Sequence, residues 1–261
     1  MQTKNRAPKP LNRSPHWWKP NRHPPIHRRK PSRCRNWRHL KIACLFIACK
    51  NTADNDTLSE LAAFEKYRAV QEQNSDFVGW LSIPGTNIDY PVMQTVDNPN
   101  FYLKRGFDKQ HSDYGVPYVQ ENCDLALSDN CVIYGHHMNN GTMFADLCKY
   151  ESEDFYQEHK TVRFDTLSGF GEYEVVAVFK TVAYSEQGFK YYHFTRADSA
   201  EDFGAYIAQC KALSLYDTGV TAEYGDKLIT LSTCEYSHKN GRMVVVAKRI
   251  AVPSAEVGSD A

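Results

Sequence analysis

The sequence predicts a mainly β protein, a closed or nearly closed barrel of short strands interrupted by few helices. Three observations carry that expectation. Six short extended segments follow one another between turn signals. Only three stretches read as helical. There is no internal repeat, and no run of 18 apolar residues that would make an ordinary membrane-spanning helix.

The elements can be justified in order. Thr57-Leu58-Ser59-Glu60 has the form of a capping box, and Leu58, Leu61, Ala62, Phe64 and Val70 carry a helix on to about Gln73. The texture then becomes extended. Phe77 to Ile83 ends at Pro84-Gly85, Ile88 to Met93 follows, and Val132-Ile133-Tyr134 runs into Gly135. A helix is expected from about Thr142 into the 150s. Tyr173 to Thr181 alternates, with Tyr173, Val175, Ala177 and Phe179 on one face. The next helix opens at Ser199, with Asp202 three residues on, and carries Phe203, Ile207 and Leu213 on one side. Leu228 to Thr233 and Met243 to Ile250 complete the strands.

The 261 residues have zero net charge, which conceals a division. Residues 1–50 hold 14 Lys and Arg, no Asp or Glu, seven of the 12 prolines and three of the four tryptophans. The remainder keeps 17 basic and 31 acidic side chains, a balance of −14. A segment so self-repelling and proline-rich cannot bury enough apolar surface to offset its conformational entropy. The expectation is therefore a disordered segment at 1–50, a helix within 51–75, a globular domain over 76–252 and a flexible tail at 253–261. Trp17-Trp18 and Trp37 among arginines could meet a polyanion or an anionic membrane. A solvated tail is the favoured reading, and no specific nucleic-acid partner is expected. The apolar run from Ile42 to Cys49 is too short to span a bilayer. It is read as a degenerate export signal or as a sign of a misassigned start.

Three of the eight cysteines fall in the basic segment. Cys123, Cys131, Cys148, Cys210 and Cys234 remain, with no Cys-x-x-Cys pair and no zinc-type spacing, so neither a metal nor a cofactor is expected. Five is odd, so at least one thiol cannot join an intrachain disulfide.

Chemistry concentrates at Thr230-Leu231-Ser232-Thr233-Cys234, where a strand delivers a cysteine at its C-terminal end. Eight residues later Arg242 opens the next strand, so the two side chains should face each other across a short polar loop. A cysteine nucleophile reacts as its thiolate, which a neighbouring cation favours. Arginine offers N–H donors to a carbonyl or oxyanion but is a poor base. Val132-Ile133-Tyr134-Gly135-His136-His137 supplies a proton carrier just beyond a strand end.

These residues resemble the signature of sortases, cysteine transpeptidases of Gram-positive bacterial surfaces. Tyr134-Gly135-His136-His137-Met138, followed by Asn140-Gly141-Thr142-Met143-Phe144, is similar to class B members. So are Val78-Gly79-Trp80-Leu81, Ile88-Asp89-Tyr90-Pro91-Val92-Met93 and Phe101-Tyr102-Leu103. The resemblance spans about Asp76 to Ile250. It implies an eight-stranded barrel with an N-terminal helix and another helix, Ser199 to Leu213, before the strand carrying the cysteine. It implies Cys234 as nucleophile, His136 as general acid/base and Arg242 as the third member. Ser232, Leu103, Thr233, Glu235 and Tyr191 take substrate-contact positions by the same resemblance. The run Phe189, Tyr191, Tyr192 and Phe194 would wall a peptide groove, or simply pack under the helix.

The implied substrate is a surface protein with a short C-terminal sorting motif of the LPXTG or NPQTN kind, cleaved after Thr through a thioester acyl-enzyme. The implied acceptor is an amine of a peptidoglycan cross-bridge or its lipid-linked precursor, and the implied location is the outer face of the cell membrane. A membrane anchor is usual at the start of class B sortases, where this chain has its basic segment. A cysteine endopeptidase using water, and a binding module with an inert Cys234, remain alternatives. Nothing in the sequence sets the oligomeric state.

Overall fold

The structure, a computed structural model, describes residues 52–250, with side chains from residue 60 onward. The expectations for segment 1–50 and for the tail 253–261 lie outside the described residues.

Helix α1 spans Thr52–Gln73, so the Thr57 capping pattern lies inside the helix rather than at its start. Once a turn exists, adding backbone hydrogen bonds is easy, and here propagation overrides the local cap signal. Tyr67 anchors the helix. Its hydroxyl donates to Asp165 Oδ2 at 2.8 Å, and its ring packs with Phe77, Met93, Tyr102 and Tyr118 in a small cluster.

Eight strands follow: β1 Phe77–Ser82, β2 Asp89–Met93, β3 Tyr118–Val119, β4 Asn130–Tyr134, β5 Thr161–Thr166, β6 Glu172–Val182, β7 Leu228–Cys234 and β8 Gly241–Ile250. They close a barrel in the order β1-β2-β3-β4-β7-β8-β6-β5. Closure leaves no long unpaired edge. The β2–β3 and β4–β7 pairs are parallel and the rest antiparallel. The interior is filled by Leu81, Val132, Ile133, Phe164, Phe179, Leu231, Val244 and Val246 among others.

Three local expectations are corrected. The stretch after Thr142 is not one helix. It is a 3-10 turn, Ala145–Glu151, then α2, Glu153–Glu158, separated by extended Ser152. Buried Asp146 accepts from Asn87 N at 2.8 Å and pairs with Lys149 at 2.9 Å, so tertiary contacts hold the turn. Strand β6 does not alternate in burial, because Val176 and Val178 are as buried as Val175 and Ala177. Past Glu174 strand β5 no longer pairs with it, and the chain from Ser214 to Thr218 bonds it instead. Helix α3, Ala200–Leu213, is capped by Ser199 Oγ, which accepts from Asp202 N at 3.2 Å. Its buried stripe is Phe203, Tyr206, Ile207 and Cys210, while Leu213 is exposed at its end.

Candidate active site

Three neighbouring strands deliver the candidate side chains to one end of the barrel. In the β7–β8 register Cys234 is paired with Arg242. In the β4–β7 register Tyr134 lies opposite Ser232, and the ladder continues through Gly135 N, which donates to Ser232 O at 3.1 Å. Thr233 Oγ1 donates to Gly135 O at 2.8 Å. His136 is therefore fixed two residues past the strand, beside the end of β7 that carries Cys234. Gly135 is required there because a Cβ would run into the Phe144 ring.

The turn between Cys234 and Arg242 is tightly tied. Glu235 N donates to Gly241 O at 3.0 Å, and Gly241 N to His238 O at 3.0 Å. Asn240 has φ 61, a conformation Asn tolerates better than most residues. The Glu235 carboxylate accepts from Ser237 N at 3.0 Å and Ser237 Oγ at 2.5 Å, and Lys180 Nζ lies 3.8 Å away. Burial alone would raise this carboxyl, but the Ser237 hydrogen bonds and the Lys180 charge hold it below the usual value. Glu235 thus shapes the turn.

Arg242 is buried, 7% exposed, and its Nη1 donates to Gly241 O at 2.9 Å. Its guanidinium also acts on the Tyr184 hydroxyl, opposing the burial that raises it. Tyr184 follows β6 with φ 60 and its ring is 6.0 Å from that of Tyr192. A left-handed tyrosine is uncommon, and such strain is held only where the surroundings over-determine it.

The titrating pair is neutral at rest. Burial pushes the Cys234 thiol above its ordinary value, and the Arg242 charge offsets only part of this. The cation favours the thiolate, as the sequence implies, but desolvation outweighs it. Burial likewise pulls His136 below its ordinary value, against the hydrogen bond to Leu103. His136 Nε2 donates to Leu103 O at 2.7 Å, which leaves Nδ1 as the lone-pair nitrogen. Leu103 lies in the 3-10 turn Phe101–Lys104, and it is its carbonyl that reaches the histidine.

His137, the second of the pair, is also near Cys234. Its Nδ1 is 3.1 Å from Cys234 O and 3.3 Å from Cys148 Sγ, and its own carbonyl accepts from Tyr236 OH at 3.0 Å. Its ring addresses the main chain of Cys234.

The other sequence-derived positions are buried. Ser232 is 1% exposed and its Oγ is 2.6 Å from the hydroxyl of Tyr191, itself 1% exposed. Thr233 is 2% exposed. In this state Ser232, Thr233 and Tyr191 offer no surface to a peptide and instead brace the strand end from beneath. Tyr191 is thus packed under the wall, leaving Tyr184, Tyr192 and Phe189 closer to its surface. The sequence reading missed Cys148 and Tyr236, which lie far from the motif in sequence or inside a loop with no periodic signal. Among the described residues no group of three His, Cys, Asp or Glu is placed to hold a metal ion.

Comparison with known proteins agrees across sequence and structure. The Sortase domain family model matches residues 81–250. Sortase B of Listeria monocytogenes is 36% identical over 189 residues, covering 71% of this chain and 74% of that protein. A Staphylococcus aureus sortase B–substrate complex superposes with a TM-score of 0.65 at 28% identity, covering 77% of this chain and 98% of that one. A sortase B complexed with triglycine also superposes with a TM-score of 0.65, at 29% identity, covering 77% and 99%.

Proposed function

The chain belongs to the sortase family and is a class B cysteine transpeptidase, and from this premise we propose the residues, substrate and acceptor of its reaction. The reading rests above all on one observation, the pairing of Cys234 with Arg242 at the barrel end to which β4 also brings His136.

In this reading the substrate is a C-terminal sorting motif of the LPXTG or NPQTN kind on a surface protein. Cys234 passes its proton to Nδ1 of His136, and the thiolate attacks the carbonyl of the motif's Thr. The Arg242 guanidinium, held by Gly241 O, donates N–H groups to the developing oxyanion. His136 then gives its proton to the departing amine, and the Thr carbonyl is left as a thioester on Cys234. An amine of a peptidoglycan cross-bridge or lipid-linked precursor attacks the thioester and loses a proton to His136, forming the new amide and expelling the thiolate. Leu103 O keeps Nε2–H occupied throughout, so proton traffic goes through Nδ1. Relatives solved with a substrate and with triglycine support a peptide donor and an amine acceptor as the two partner classes. The reaction is placed at the outer face of the cell membrane, where sortases act on surface proteins. No helix among the described residues is long and apolar enough to cross a membrane.

Incubating the protein with sorting-motif pentapeptides, with and without triglycine, tests the reading. The expected product with triglycine is a peptide joined at Thr. A product distribution indifferent to the amine would instead make the enzyme an endopeptidase that uses water.

A further inference from the structure

Cys123 and Cys131 play no part in the proposed chemistry, yet they are arranged reciprocally. Cys131 lies on β4, and Cys123 precedes it in the loop from β3. Cys123 Sγ is 3.5 Å from Val132 N and 3.7 Å from Asn130 O, the two main-chain groups that flank Cys131. Cys131 Sγ is 3.9 Å from Asp124 O, beside Cys123. In a strand the O of residue i−1 and the N–H of residue i+1 point to the same side. Cys123 Sγ therefore lies along the main chain that flanks Cys131, and Cys131 Sγ in turn reaches the main chain beside Cys123. Both thiols are buried, 4% and 6% exposed.

The connecting loop is already shaped for closure. Ser128 N donates to Asp124 O at 2.9 Å, Asp124 N donates to Ser128 Oγ at 2.9 Å, and Asp124 Oδ1 accepts from Ala126 N and Leu127 N. Gln120, just upstream, ties this loop to the rest of the barrel end. Its Nε2 donates to Tyr192 O at 2.9 Å, its Oε1 accepts from the Tyr134 hydroxyl, and Gln94 Nε2 reaches both Gln120 O and Cys123 O.

We propose that Cys123 and Cys131 are a modification site: given a disulfide oxidant during folding, they form an intrachain disulfide that clamps the loop before β4. The oxidant is a low-molecular-weight disulfide. The Cys123 thiolate attacks it and expels one thiolate, leaving a mixed disulfide, and the Cys131 thiolate then displaces the second. One S–S bond breaks, one forms, and two small thiols leave with the protein's two protons. In the folded protein the Cys131 thiol and the Val132 N–H hold Cys123 below the usual thiol value against its burial. Of the five described cysteines, this pairing leaves Cys148, Cys210 and Cys234 as thiols, and it does not depend on the reading of the active site.

A Cys234→Ala variant, which lacks the competing nucleophile, is unfolded and refolded in mixed oxidised and reduced glutathione. Free thiols are then alkylated and the protein is cut with chymotrypsin. Cleavage after Leu125 or Leu127 separates the two cysteines in sequence. The expected result is a pair of peptides, one with Cys123 and one with Cys131, held together until reductant is added. Alkylation of both residues, or a bond from either to Cys148 or Cys210, overturns the proposal. The reduced protein should also melt roughly 5–10 °C lower than the oxidised one, the scale for closing a short loop in a domain of this size. In Cys123→Ala and Cys131→Ala, each made in the Cys234→Ala background, reductant should leave the midpoint unchanged. A reductant effect that persists in both is incompatible with this pairing.

Discussion

Cys234 and Arg242 are register partners across β7 and β8, separated in sequence only by residues 235–241. The proposed nucleophile and its proposed oxyanion donor therefore share one two-stranded ribbon and cannot drift apart without breaking its ladder. What the ribbon leaves open is the direction of the guanidinium, whose Nη1 donates to Gly241 O.

Arg242→Lys is expected to lower turnover about 10²–10³-fold, the scale of a lost oxyanion donor, because an ammonium keeps the charge but not the planar pair of N–H groups. Alkylation of Cys234 at a fixed pH should stay near normal, since burial rather than charge dominates its thiol. Turnover and alkylation measured side by side decide it. If both fall in step, Arg242 acts through its charge.

His136→Ala is expected to cost about 10²–10⁴-fold in rate, as for the loss of a general acid/base. His137→Ala removes a hydrogen bond to the Cys234 main chain and a contact with Cys148, and should cost about 10-fold or less, on the scale of one net hydrogen bond. Steady-state kinetics on both variants, with circular dichroism to show folding, is the measurement. Equal losses would remove the distinction between them.

The pH profile follows from the neutral pair. The reactive form, thiolate with imidazolium, carries the same number of protons as the resting thiol with imidazole. Adding a proton below the His136 value destroys it, and so does removing one above the Cys234 value. Because burial lowers the first and raises the second, kcat/KM should form a broad bell. Its acid limb should fall below the usual histidine value of about 6.5 and its alkaline limb above the usual thiol value of about 8.5. A narrow bell lying inside those values would refute the assignment of burial as the dominant influence.

Gly135→Ala should both destabilise the fold and impair catalysis. The added methyl meets the fully buried Phe144 ring, and overpacking of this kind typically costs about 1–3 kcal/mol. Relief of the clash would move the chain that carries His136, so turnover should fall about 10-fold or more, since small misplacements of reacting groups are costly. Urea denaturation and turnover of the same preparation test it. An unchanged kcat would show that the segment can yield without moving the histidine.

The catalytic candidates were readable because each sits at a strand end whose strand is itself marked by sequence. Leu228 to Thr233, a short run of apolar and β-branched residues, and the apolar run after Arg242 lie on either side of a polar loop, so their pairing could be read locally. β3 could not be read, because two residues carry no period. The burial of Val176 and Val178 was invisible for another reason. It depends on the chain after α3, some 40 residues away, coming back to bond β6. The partners of the site were illegible on the same ground. Tyr184 meets Arg242 only because β6 lies beside β8, and Leu103 meets His136 only because a 3-10 turn brings a carbonyl back to the end of β4.

The acceptor that fixes the His136 ring is a main-chain oxygen, and every residue type at position 103 would present the same atom. In enzymes that orient a histidine with a carboxylate side chain, that role can be deleted by a single codon change. Here it has no codon. A saturation screen for inactive enzyme would be expected to recover Cys234, His136 and Arg242, and to be silent about the group that sets the imidazole's tautomer. Only changes that re-route the turn 101–104 could disturb it, and these would register as loss of folded protein rather than as a catalytic defect.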